Sequence, residues 1–136
     1  MSESIHANAH VVTRLQQEPI IWLSTVRPDG RPHLVPVWFL WDGATILIFS
    51  KLDQKIRNVR SSPHVVLALE AAHSGDDVVL IEGTAELRVN EPSPSTPAYV
   101  TKYGALLAAM QMSVEQMAEE YNQAICITPT KLRAWS

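Results

Sequence analysis

The sequence predicts a mainly β domain, a small antiparallel barrel carrying a few short helices. Six β-rich runs recur at short spacing, tight-turn signals separate them, and the helix-forming stretches sit at the N-terminus, in one crossover and in one insertion. Barrel closure also removes exposed strand edges. With 136 residues, 46% of them hydrophobic and 18% charged, the chain can build one core but not two, so residues 1–136 are read as a single domain.

Residues 8–18 place Val11, Val12 and Leu15 on one side of a helical wheel, and Pro19 ends that helix. The barrel strands occupy 20–89. Ile20–Val26 and Arg31–Trp41 flank Arg27-Pro28-Asp29-Gly30, the pattern of a hairpin. Pro36 has no N–H to give a ladder, so the second run belongs at an edge or carries a bulge, where freed backbone groups are open to a ligand. Asp42-Gly43 turns the chain into Ala44–Ser50, a third strand that would complete an antiparallel meander. Asp53 caps a two-turn helix over 53–61, with Ile56 and Val59 inward and Ser61-Ser62-Pro63 closing it.

His64–Glu70 and Asp77–Val89 are two further strands, joined through His73-Ser74-Gly75-Asp76, and Gly83 marks a bend or bulge in the longer one. The proline-rich stretch 91–97 leads into a helical insertion over 95–121. In it Ala98–Met112 is rich in alanine and leucine, and Ser113 caps a second short helix with Glu115 and Gln116 in its first turn. The last strand spans 124–135 and is interrupted at Pro129.

A formal net charge of −3 supplies no global attraction to nucleic acid or an anionic membrane, so any anion site must be local. Met1-Ser2-Glu3-Ser4-Ile5-His6 carries an acid and no apolar run, and no stretch approaches the ~20 apolar residues of a membrane helix; a soluble cytoplasmic protein is expected. Cys126, the single cysteine, lies in Ala124-Ile125-Cys126-Ile127 and reads as a buried, inert thiol. Of the five histidines, at 6, 10, 33, 64 and 73, only His6 and His10 have helical metal spacing, and no third ligand stands beside them, so no metal site is expected. No nucleophile elbow, Walker loop or dinucleotide glycine motif is present. Asp76-Asp77 reads as turn chemistry rather than as a catalytic carboxylate pair.

The informative segment is Ser50-Lys51-Leu52-Asp53-Gln54-Lys55-Ile56-Arg57-Asn58-Val59-Arg60, which holds four of the eleven basic residues within ten positions. At a strand end, the Ser50 hydroxyl, the Lys51 and Lys55 ammonium groups and the amides of the next helix's first turn can converge on one phosphate. A solvated basic helix face is the competing reading. Trp38, Phe39 and Trp41, on the run next to the third strand, can line a slot for a flat ring, although tryptophans more often serve a core.

Together these residues resemble the split β-barrel flavoproteins, the superfamily of pyridoxine-phosphate-oxidase-like proteins, and within it the short deazaflavin (coenzyme F420) dependent oxidoreductases of actinobacteria. The resemblance spans nearly the whole chain. It rests on Trp22-Leu23-Ser24-Thr25-Val26 with its Pro-Asp-Gly turn, Pro36-Val37-Trp38-Phe39-Leu40-Trp41, and Ser50 with Lys55, Arg57, Asn58 and Pro63. Glu82-Gly83-Thr84-Ala85-Glu86, Lys102-Tyr103-Gly104 and Pro129-Thr130-Lys131-Leu132-Arg133-Ala134-Trp135 extend it.

The resemblance implies a six-stranded split barrel forming a homodimer, with F420 or FMN at the subunit interface and F420 favoured. By position, Ser50, Lys51 and Lys55 would hold the cofactor phosphate, Val35, Pro36, Val37, Trp38, Ile48 and Phe49 would line the ring, and Asn58 would brace the loop. Arg133 and Trp135 of the second subunit would complete the site.

The implied activity is hydride transfer to or from a small conjugated organic substrate, with no side-chain nucleophile required and His33 as a candidate donor. Alternatives are an FMN-binding module without turnover and a pyridoxine 5'-phosphate oxidase-like activity; the arginine-rich tail of the latter enzymes is not found after Trp135. A nucleic-acid-binding barrel would need alternating stacking aromatics and a continuous basic groove, which the sequence lacks.

Overall fold

The computed structural model describes residues 4–71 and 75–135. The expected linker residues His73 and Ser74 and the first three residues lie outside that range. A single 3-10 turn, Ile5–Ala7, precedes α1 (Ala9–Gln17), whose N-cap Asn8 accepts the Val11 N–H and whose Val11 and Leu15 enter the core. The strands are β1 (Ile21–Val26), β2 (Pro32–Val37), β3 (Leu40–Trp41), β4 (Ile46–Ser50), β5 (His64–Leu69), β6 (Val78–Val89) and β7 (Gln123–Trp135). Between them lie α2 (Gln54–Ser61), α3 (Pro97–Ala109) and α4 (Val114–Glu120). Among the described residues no helix is long and apolar enough to cross a membrane.

The strands form one antiparallel sheet in the order β2-β1-β5-β6-β7-β4-β3. It has seven strands rather than six, because the run Arg31–Trp41 breaks into β2 and β3 at Trp38 and Phe39. The expected meander is also corrected. The third run, β4, pairs with β3 and β7 and not with β2. β2 is an edge strand, where Pro36 costs no ladder bond that a central strand would need.

Connectivity forces closure. β2 and β3 lie at opposite edges of the sheet, yet only two residues separate them, and a link that short spans roughly 10 Å. The sheet must therefore curl until its edges meet, and with no ladder joining them the barrel is split at Trp38–Phe39.

Gly83 lies where the β6–β7 register shifts: Glu82 faces Lys131, but Gly83 faces Pro129. A Cβ on Gly83 would stand 2.6 Å from Ile127 Cγ2 and 2.9 Å from the Thr128 carbonyl oxygen, so only glycine fits this crossing. The bulge keeps β7 continuous through Pro129, where an interruption was expected.

β4 is buried along its whole length because both of its faces are covered. Ile46 and Ile48 face the barrel core with Ile21, Leu23, Ile56, Leu67 and Ile125. Leu47 and Phe49 face a second core, built with Tyr99, Tyr103, Leu107 and Met117 of the helical insertion. Within that insertion Ser113 caps α4 in a full capping box with Gln116. Cys126 is half-buried beside this second core, and burial raises its thiol pKa.

Candidate functional site

α3 seals the split. The Tyr103 hydroxyl accepts the Phe39 N–H at 2.8 Å and lies 2.7 Å from the Pro19 carbonyl oxygen and 2.9 Å from that of Phe39, to either of which it can donate. Lys102 Nζ donates to the Phe39 carbonyl at 2.9 Å and sits 3.7 Å from the Phe39 ring centroid. Burial pulls the Lys102 ammonium down to about 8. Backbone groups that no strand reaches at the seam are thus satisfied by side chains.

Beside the seam lies a cavity of about 430 Å³, within the range of cofactor sites. Its floor is the end of β2 with Pro36, Val37 and Trp38, and its far wall is the end of β4 with Phe49 and Ser50. Lys51, Asp53 and Lys55, from the turn into α2, form a charged end. Trp38 lies flat on Tyr103, with centroids 4.5 Å apart and planes 6° apart, and so presents a planar wall.

The charged end is already organised. Asp53 caps α2, its Oδ1 accepting the Lys55 N–H at 3.2 Å and standing 3.2 Å from Ser50 Oγ, while its Oδ2 pairs with Lys55 Nζ at 2.6 Å. Ser50 also donates to the Lys51 carbonyl at 2.7 Å. Lys51 is exposed, 5.3 Å from the Tyr121 ring centroid. Below them Asn58 is fully buried and ties α2 to β1, donating to Thr25 Oγ1 at 2.9 Å and accepting from Gln54 at 2.7 Å. Asn58 does not line the cavity.

Seven of the twelve sequence-predicted site residues line this cavity: Pro36, Val37, Trp38, Phe49, Ser50, Lys51 and Lys55. The side chain of Ile48 points instead into the barrel core, since neighbouring residues of a strand face opposite ways. Val35 is half-buried opposite Leu23 and does not line the cavity. Arg133 and Trp135 lie exposed on the far half of β7, away from the cavity of their own chain. Of Trp38, Phe39 and Trp41, only Trp38 lines the slot; Phe39 and Trp41 belong to the barrel core.

His33 lies on the half-buried face of β2, and its Nδ1 is buried with no hydrogen-bond partner among the described residues. Burial, with Arg27 and Lys55 adding to it, lowers its pKa, so the ring is neutral at pH 7. His10 pairs with Asp77 at 2.7 Å and His6 packs on Trp41.

Sequence reasoning missed the roof. Tyr99, Leu107, Met110, Met112, Met117 and Tyr121 all come from the helical insertion. The readable signals were Tyr99, Tyr103 and Leu107 at four-residue spacing on one helix, and the cluster of three methionines, whose flexible thioethers suit a binding wall. An apolar slot with one planar wall and one cationic end fits a flat ring bearing a phosphate tail.

The chain is similar to a conserved hypothetical protein of Mycobacterium tuberculosis (28% identity, TM-score 0.73, covering 95% of this chain and 84% of that one). It is also similar to an F420 reductase (23% identity, TM-score 0.67, 89% and 94%) and to a heme storage protein of Vibrio cholerae (14% identity, TM-score 0.65, 93% and 94%). At those last two identities the likeness concerns the fold alone. No curated protein sequence matches the chain. Residues 7–136 match the family model described as pyridoxamine 5'-phosphate oxidase, and the chain belongs to that family of split β-barrels.

Proposed function

We propose that this protein is a cytoplasmic oxidoreductase that binds coenzyme F420 or FMN and acts on a small conjugated organic substrate. The observation that carries this reading is the one-ended polarity of the cavity: apolar and aromatic walls along its length, and Ser50, Lys51 and Lys55 at one end. When bound, the cofactor ring would supply the hydride chemistry. Lys51 and Lys55 would hold the phosphate by charge-assisted hydrogen bonds, and Trp38, backed by Tyr103, would orient the ring. The methionine-lined roof would keep water from it.

A homodimer belongs to the same proposal. Across the sheet's outer face Leu34, Ser24, Val66, Glu82 and Lys131 lie in one row, and Pro36, Trp22, Ala68, Leu80 and Arg133 in the next. Leu34 is 60% exposed, Val66 44% and Trp135 54%. The exposed apolar side chains on this face, set among Glu82, Lys131 and Arg133, support a second copy bringing Arg133 and Trp135 to the cavity.

The test is addition of FMN or F420 to the purified protein, followed by absorbance and steady-state turnover. Binding with turnover of a quinone-like acceptor is the expected result, and pyridoxine 5'-phosphate is included as a competing substrate. Binding without turnover identifies a storage module, and failure to bind either cofactor overturns the proposal.

A further inference from the structure

We infer that Asp53 sets the charge of the phosphate site, so that the site takes a phosphodiester monoanion in preference to a phosphomonoester dianion. The inference rests on the cofactor reading proposed above and decides between its two candidates. FMN carries a monoester, whose second proton is lost near pH 6, whereas the F420 phosphate is a diester with one charge.

The cavity's charged end holds two lysines and one carboxylate. Asp53 Oδ2 lies 2.6 Å from Lys55 Nζ, and the Lys55 side chain is only 14% exposed, so that ammonium is largely neutralised before any ligand arrives. His33, the nearby imidazole whose pKa reflects both Lys55 and Asp53, is neutral at pH 7 and adds nothing. Arg57 is exposed and turned to Gln54, with Nη2 donating to Oε1 at 3.0 Å. The end therefore offers a single net positive charge, the complement of one negative charge.

Donors tell the same story. The Lys55 ammonium and amide are both engaged by Asp53, and the Ser50 hydroxyl is within reach of the same carboxylate. A dianion must compete with Asp53 for these groups, and its second charge then faces an unpaired carboxylate at close range. A monoanion can be met by Lys51 and a shared Lys55 while Asp53 keeps its helix cap. The carboxylate is 42% exposed, so solvent screens the effect to a moderate discrimination, not an absolute one.

The experiment titrates the full-length protein and its Asp53→Asn variant at pH 7.5 with FMN, F420 and riboflavin. Asparagine caps a helix as well as aspartate does, so the fold is kept; Asp53→Ser, also a good cap, is the second variant. The expected result is tighter F420 than FMN binding in the wild type. In both variants FMN should gain at least about tenfold, F420 should change about threefold or less, and riboflavin should not change. Unaltered FMN affinity in variants that still bind F420 overturns the assignment of Asp53 alone. If neither cofactor binds the wild type, the proposed function falls and this inference with it.

Discussion

The hydroxyl of Tyr103 on α3 accepts the N–H of Phe39 at 2.8 Å, closing with one side chain the seam where the two edges of the sheet meet. Tyr103 is fully buried and also carries the stacked Trp38. Tyr103 therefore contributes at once to the sealing of the split, to the docking of α3 and to the planar wall of the cavity.

Tyr103→Phe keeps the ring and removes the hydroxyl. The Phe39 N–H and the Pro19 carbonyl then lose their partner in a dry site, which is expected to cost about 1–3 kcal/mol in urea or thermal unfolding. Trp38 should still stack, so the loss in stability should exceed any loss in cofactor affinity.

Lys102 predicts a pH dependence of stability. Its pKa is lowered from 10.5 to about 8 by burial, which the charge of Glu18 only partly opposes. Between those values the unfolded chain binds the proton and the folded chain does not, so Lys102 makes stability rise with pH from about 8 to 10.5. Below pH 8 it is a net burden. Unfolding free energies of the wild type and Lys102→Met, measured at pH 7 and pH 10, should differ in this direction; a constant difference would contradict it.

Lys55→Ala removes one charge-assisted hydrogen bond to the proposed phosphate. FMN or F420 affinity should weaken by about 1.5–3 kcal/mol, and riboflavin binding, which has no phosphate to lose, should not change. Unchanged affinity for the phosphorylated cofactor would make Lys55 simply the partner of Asp53.

Gly83→Ala drives a methyl group to 2.6 Å from Ile127 Cγ2 and 2.9 Å from the Thr128 carbonyl oxygen. The side chain can turn away but the backbone oxygen cannot, so a loss of about 1–3 kcal/mol in chemical denaturation is expected.

Features that depend on near neighbours along the chain could be read from the residues alone. The caps at Asp53 and Ser113, the break at Pro19, the turns at Asp29-Gly30 and Asp42-Gly43 and the bulge at Gly83 were all legible, because each reflects the conformational limits of one residue and its neighbours. The edge position of β2 was legible from Pro36 for the same reason. So was the basic segment Ser50–Lys55, whose place at a strand end is local.

Features that depend on distant pairing emerged with the folded chain. Nothing local says that β4 joins β7 instead of completing a meander, or that Arg31–Trp41 must break where it crosses from one sheet edge to the other. Burial on both faces of β4 hid its alternation, so Ile48 and Phe49 looked equivalent although they enter different cores. The methionine roof and the seal made by Tyr103 arise because the insertion folds back across the split, bringing residues 60 positions apart and more into contact. The pairing of Asp53 with Lys55 is two residues long, but its meaning as the charge of a cavity comes from the walls that β2, β4 and α3 put around it, since a carboxylate acts on a ligand only where the surrounding protein excludes the water that would screen it.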